Sequence, residues 1–482
     1  MPRPKSWRNI QPAAMARFGR TGDLFRAILL FIGRDRLALT YLVLMPLCGI
    51  TLLLTLPPLQ MPDELTHLLK AEAISQGDWV AHRLNAHDAG SLLSEGLVRF
   101  AWTANNTVYP PRRPYAFVNL IGDTRARFDG PYVPAGYPNT AIYPPFFYFP
   151  SAVALGIARV LGAPVFFAYL CARLAVLLTA SFLGACAIAW ATRARLLLAL
   201  LLSLPMDMGL FVSCAQDGVQ IATAALVAVG LGRCTTDRGL IATALLLGLV
   251  IAAKPAYLPL AFLPMTCMSA GRHKMRMAVV ASCLAMLVPL ICTVLFTHPA
   301  KVGFRVADHV AAPVQLMYVV RHPLHVAHIL ASTLRLMGWT YMRQFVGVLG
   351  RLQVDLGAVS DGAAVVALLV AALSGIGKTG KGLVSWRNAA TGGILAGSIL
   401  AVFMALYMIW TPVAAPLIEG IQGRYFIPIA IMMTLLFPQS PEGLPVGRTP
   451  LRQAVFLGGF MVAGAMTAQR AIMAFYWLPV GR

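Results

Sequence analysis

Apolar runs of membrane-spanning length recur from Leu37 almost to the C-terminus, parted by short polar or basic breaks. A helix needs about 20 apolar residues to cross the hydrocarbon layer, so each such run predicts a span. The first covers residues 37–56. A polar stretch, residues 58–165, follows it, and a second run opens at Phe166 and closes at Trp190. The third ends at Ser213 and the fourth at Arg233. The fifth and sixth are short pieces separated by Lys254-Pro255. The seventh ends near His298, where another long polar stretch, residues 298–358, begins. The eighth runs to Lys378, the ninth ends at Trp410, the tenth returns toward Arg448, and the eleventh closes the chain. The pattern predicts an all-α polytopic membrane protein of about eleven spans, the fourth and fifth only about 15 residues each.

One stretch is ambiguous by pattern alone. Tyr143 to Leu161 is apolar, opens with Tyr143-Pro144-Pro145, and either crosses the membrane or lies in its interface as an aromatic helix. Charge favours the interface. With that helix kept out of the bilayer, the short basic loops at Arg193, Arg233, Arg272 and Lys378 all fall on the same side as the basic N-terminal tail, residues 1–36. That is the side the positive-inside tendency makes cytoplasmic. The tail does not read as a cleavable signal peptide, because it is long and basic and the first run lacks a small-residue cleavage site. Residues 37–482 then form one transmembrane domain carrying two extracytoplasmic loops, 58–165 and 298–358.

Composition agrees with this reading. Hydrophobic residues make up 58% and charged residues 12%, with mean hydropathy +0.72. A soluble domain carries about 25% charged residues to face water. The net charge of +21 does not point to nucleic acid, since no nucleic-acid-binding motif accompanies it. Basic residues crowd the tail, as beside anionic lipid. The eight cysteines lie mostly within apolar runs without a CxxC pair, which indicates neither a zinc site nor a disulfide framework. Of the 18 acidic residues, only Asp23, Asp35, Asp237 and Glu442 are cytoplasmic in this threading, so chemistry that needs carboxylates belongs on the far side.

Several constellations could carry such chemistry. Pro62-Asp63-Glu64-Leu65-Thr66-His67 follows the first span, where Pro62 suits a helix start and Asp63 and Glu64 favour its positive end. Asp63 and His67 share a face four residues apart. The motif is a helix cap with an interfacial histidine, or a carboxylate general base with Asp63 or Glu64 as the catalytic group. Tyr143 heads the aromatic helix and is a candidate wall of a lipid-substrate cleft. Asp217 follows the third span, and serves either as a helix cap or as a functional acid. Lys254, with Tyr257 beside it, interrupts an apolar stretch and either snorkels or binds a lipid phosphate. Glu419-Gly420-Ile421-Gln422-Gly423-Arg424-Tyr425-Phe426 concentrates Glu419, Gln422, Arg424 and Tyr425 in one short outer loop, where an arginine fork matches phosphate. The second long loop reads as an amphipathic helix on the membrane carrying His322, His325, His328 and Arg343. Its histidines lack a nearby carboxylate, and no metal site is expected there.

In combination these segments resemble a bacterial membrane family catalogued as domain of unknown function 2142. The matching stretches are Pro62 to His67, Tyr143 to Pro150, Ala168 to Arg173, Lys254 to Pro259 and Glu419 to Phe426. Where relatives read Ser-x-Asp-Ala, this chain has Cys214-Ala215-Gln216-Asp217-Gly218, which keeps the acid in altered surroundings. The family is similar in layout to GT-C-fold glycosyltransferases, which take a sugar from a polyprenyl-phosphate donor, and protein O-mannosyltransferases share an Asp-Glu pair after the first span. The resemblance implies Asp63 as the base, with Glu64 its neighbour or alternate. The constellations themselves give His67, Tyr143, Asp217, Lys254, Tyr257, Arg343, Glu419, Gln422, Arg424 and Tyr425 as the expected substrate-binding residues.

The expected function is therefore transfer of a sugar from a polyprenyl-phosphate donor to an extracytoplasmic glycan, lipid or protein acceptor, in a bacterial inner membrane with the N-terminus cytoplasmic. The first outer loop has no Asp-x-Asp pair, which weakens a metal-dependent reaction. The alternatives are a transporter or flippase of a lipid-linked glycan, and a non-catalytic subunit of a polysaccharide assembly complex.

Overall fold

The computed structural model describes residues 29–108, 125–233, 236–267, 271–303, 305–376, 385–439, 448–473 and 476. Most of the basic tail lies outside them.

The first apolar run forms α1 (Arg36–Thr55), capped by Asp35, whose carboxylate accepts from the Leu37 and Ala38 amides. Residues 58–108 and 125–164 fold into a lobe that packs on the start of the next long helix. It contains α2 (Glu64–Ser75), strands β1 (His82–Arg83) and β2 (Ala89–Ser94), α3 (Glu95–Val108), β3 (Tyr132–Gly136) and α4 (Phe149–Val160). The strands make an antiparallel sheet in the order β1-β2-β3, with Gly90 opposite Gly136. A Cβ on Gly90 would stand 1.9 Å from the Ala135 carbonyl oxygen, so glycine is what lets the strands close there. This sheet and a two-stranded ribbon, Val348–Leu349 with Val354–Asp355, correct the all-α expectation. The fold is mostly helical. The strands are short and lie in loops that carry no apolar run, where hydropathy reports nothing about pairing.

Next come α5 (Val165–Trp190), the broken pair α6 (Arg195–Leu201) and α7 (Pro205–Phe211), α8 (Asp217–Arg233) and α9 (Asp237–Ala253). A 3-10 segment, Pro255–Phe262, carries the chain from Lys254 toward α10 (Arg272–Cys292). Helix α10 continues through a π-turn, Thr293–Thr297, to Ala300. The second long loop holds two helices rather than one, α11 (Ala312–Arg321) and α12 (Pro323–Gly347), because Pro323 cannot continue the first. Then follow α13 (Ala358–Ile376), α14 (Trp386–Ile409), a 3-10 turn Gly423–Phe426 leading into α15 (Ile427–Met432), and α16 (Arg448–Ile472).

Among the described residues, six helices are long and apolar enough to cross a membrane: α1, α5, α10 with its extension, α13, α14 and α16. The other segments expected to cross are helical but shorter or interrupted. Helices α8 and α9 have 17 residues each, and the third run breaks at Ser203-Leu204 before Pro205. The aromatic stretch Phe146–Val160 is likewise short.

The helix ends sort into two sets. Arg195 pairs with Asp35, and Arg193 donates to the Phe437 carbonyl at 2.5 Å, which gathers the start of α1, the end of α5 and the chain after α15 at one end. The end of α1, the start of α8 and the end of α9 meet at the other, beneath the lobe. The functional candidates are at this second end.

Candidate functional site

After α1 the chain turns at Pro57-Pro58, and two residues adopt left-handed backbone, Leu59 at φ 59° and Asp63 at φ 61°. An aspartate tolerates that region better than most residues. Asp63 occupies the cap position of α2, yet its carboxylate makes no capping bond to that helix. It turns instead toward Arg424, whose Nη2 donates to Asp63 Oδ2 at 2.5 Å. Arg424 also donates to the Pro62 carbonyl at 3.3 Å, to Gln422 Oε1 at 2.6 Å and to Asp217 Oδ2 at 3.4 Å. Lys254 donates to the other Asp217 oxygen, and its Nζ stands 4.5 Å from the centre of the Tyr425 ring.

Close packing sets the position of Arg424. A Cβ on Gly423 would lie 2.1 Å from the Tyr341 carbonyl oxygen, and the Gly423 amide donates to Gln344 Oε1 at 3.0 Å. Helix α12 therefore clamps the turn that presents the arginine. From the other side, the Tyr257 hydroxyl donates to the Tyr425 carbonyl at 2.6 Å. The result is a quartet of two carboxylates, Asp63 and Asp217, and two cations, Arg424 and Lys254, with charges that balance. The side chains of Arg424 and Asp217 are 2% and 5% exposed, whereas Asp63 is 39% exposed. Asp63 is the carboxylate of the quartet that solvent can reach.

Glu64 plays a different part from its neighbour. Its carboxylate is fully buried and accepts from the Tyr169 hydroxyl at 3.0 Å and from the Met61 and Cys214 amides at 3.2 Å each, with Arg173 Nε at 3.5 Å. Tyr169 in turn accepts the Leu59 amide at 2.9 Å, and Arg173 donates to the Val212 carbonyl. With every oxygen engaged by donors and no solvent access, Glu64 is an anchor. It ties the left-handed turn before α2 to α5 and to the chain leading into α8, and so fixes where Asp63 stands.

His67 lies one turn beyond Asp63. Its Nδ1 is 2.7 Å from the Tyr148 hydroxyl and its Nε2 4.0 Å from Asp217, while its ring stacks against Tyr143 at 6.3 Å. Burial pushes the imidazole pKa down to about 4, against the pull of Asp217 and Asp63. At neutral pH it is an uncharged wall of the site.

The structure thus brings together Asp63, His67, Tyr143, Asp217, Lys254, Tyr257, Gln422, Arg424 and Tyr425. Two expected binding residues stand apart. Arg343 pairs with Asp355 and Asp361, and Glu419 faces Arg305 at 3.8 Å. The sequence assigned no role to Tyr148, Tyr169 or Gln344, although the first two lie in stretches that carry the family resemblance. Tyr169 and Arg173 had a visible signal, four residues apart on one face of an apolar helix. Gln344 had none.

These features define a mostly helical, multi-pass membrane protein with a largely buried ion quartet, open at Asp63, beneath a folded loop lobe. The chain matches the family described as Predicted membrane protein (DUF2142) over residues 46–433, and it belongs to that family. Neither a curated protein nor a solved structure matches it.

Proposed function

We propose that this protein is a glycosyltransferase of GT-C type, with about eleven membrane passages counting its short and broken helices. It moves a sugar from a polyprenyl-phosphate donor to an acceptor hydroxyl on the extracytoplasmic face of a bacterial inner membrane. The reading rests on one observation above all. An accessible carboxylate, Asp63, sits against Arg424, which with Lys254 supplies two cations at the ends of apolar helices.

In this reaction Asp63 accepts the proton of the acceptor hydroxyl as its oxygen bonds to the anomeric carbon. The bond from that carbon to the phosphate oxygen breaks, and the electron pair leaves with the polyprenyl phosphate, which gains one negative charge. Arg424 and Lys254 stabilise that charge where it develops, the contribution that usually dominates such catalysis. Asp217 holds both cations in place before the donor arrives. His67, Tyr143 and Tyr425 form the wall against which the sugar rests, and attack opposite the leaving phosphate inverts the anomeric centre.

The test is transfer from a labelled polyprenyl-phosphate sugar by the purified protein. Asp63→Asn is expected to lower transfer by at least about a hundredfold while donor binding persists; undiminished transfer by that variant removes the assignment of the base.

A second reading, transport of an intact lipid-linked glycan, draws on Asp207. This acid is fully buried in α7, just after the break in the third run, and neither oxygen has a hydrogen-bond partner. Acids inside a membrane commonly mark transport paths. Movement of the donor across a vesicle membrane without bond cleavage would favour it.

A further inference from the structure

Away from the ion quartet, a recess of about 500 Å³ opens between the β1–β2 turn of the lobe and the end of the α10 extension, lined by Arg83, Asn85, His298, Lys301 and Gly303. Arg83 Nη2 donates to the His298 carbonyl at 3.3 Å, and His87 Nδ1 lies 3.1 Å from the Gly303 carbonyl, so the lobe is fastened to the helix there. Among the described residues no carboxylate lies within ion-pairing distance of Arg83 or Lys301. Two cations from distant parts of the chain line one recess, and among the described residues neither forms an ion pair.

The helix below supplies the second observation. Leu287, Leu290, Ile291, Val294 and Leu295 are all exposed, at 47%, 60%, 47%, 62% and 52%, and their spacing places them on one face. His298 continues that face into the recess. At 1.5 Å per residue the stripe climbs about 16 Å from Leu287 to His298, close to half of the hydrocarbon thickness of about 30 Å. An acyl chain of one leaflet fits that length, and its head group then arrives between Arg83 and Lys301.

We infer that this recess binds the phosphate of an anionic phospholipid whose chains lie along the exposed face of α10. A net negative head is favoured, because a zwitterionic head carries an ammonium that the two cations repel. The match to one leaflet favours an acyl lipid over a long isoprenoid. The site is separate from the sugar-transfer reading and survives its failure.

The experiment is native mass spectrometry of the full-length protein in detergent, titrated with phosphatidylglycerol or phosphatidylcholine. The wild-type protein is expected to retain one phosphatidylglycerol about tenfold more tightly than phosphatidylcholine, and the double variant R83Q/K301Q to lose that preference. Lys301→Glu alone, in an exposed loop, is expected to lose it too and keeps the test sound should the double variant fail to fold. Removing exposed cations elsewhere, R321Q/R335Q, is expected to change nothing. Equal retention of both lipids by the wild type, full preference in both recess variants, or the same loss in R321Q/R335Q overturns the site. Displacement of phosphatidylglycerol by an equal concentration of undecaprenyl phosphate overturns the phospholipid as its occupant.

Discussion

Asp63 and Arg424 lie 361 residues apart in sequence and 2.5 Å apart in space. Arg424 is shared: it serves Asp63, Asp217, Gln422 and the Pro62 carbonyl at once. A donor phosphate that takes hold of the guanidinium competes with Asp63 for it. In the proposed reaction, donor binding would therefore loosen the base just when an acceptor needs it.

The roles of the adjacent acids separate by substitution. Asp63→Asn is expected to lower turnover by a factor of about 10²–10⁴, the usual range for a general base, with an unchanged melting temperature. Glu64→Gln is expected to lower the melting temperature first. Labelled-donor kinetics alongside thermal unfolding in detergent checks both, and a stable Glu64→Gln protein with the same turnover loss as Asp63→Asn would assign the base to the wrong residue.

Glu64 and Arg173 form a buried pair, so removing one partner strands the other's charge. Arg173→Met alone is expected to cost about 3–5 kcal/mol. The double variant E64Q/R173M is expected to recover part of that loss. A double-mutant cycle from unfolding midpoints measures the coupling, and strict additivity would mean that the two do not stabilise each other.

Arg424→Lys keeps the charge but loses the planar fork, and one ammonium cannot reach four acceptors spread around the guanidinium. Transfer is expected to fall at least about tenfold, since each lost hydrogen bond to a charged group is worth about 1.5–3 kcal/mol. Full activity in that variant, measured on the same donor, would reduce Arg424 to a point charge.

His67 makes stability depend on pH. Its folded pKa of about 4 lies below the ordinary value of 6.5. Between these values the unfolded chain binds a proton that the folded chain refuses, so stability falls as pH drops from 6.5 toward 4 and levels out below. Melting temperatures at pH 7 and pH 5 are expected to differ more for the wild type than for His67→Gln. An equal drop in both would place the titration on another group.

The chain's repeating apolar runs fixed its class, because a run of membrane-spanning length needs no tertiary information to be read. Residue type likewise flagged Asp63, Lys254 and Arg424, since charges beside apolar helices are costly and seldom idle. Sequence could not assign neighbouring acids their parts. Asp63 and Glu64 are adjacent acids at one helix start, and only the left-handed backbone at Asp63 and the arrival of Tyr169 and Arg173 from α5 make one accessible and the other sealed. Arg343 and Arg424 looked alike as outer-loop cations, yet Asp355 and Asp361 claim the first while a glycine contact delivers the second to Asp63. Hydropathy and residue chemistry are local properties, legible one segment at a time. Which side chains meet depends on how helices pack and where short turns aim them, and that was decided only in three dimensions.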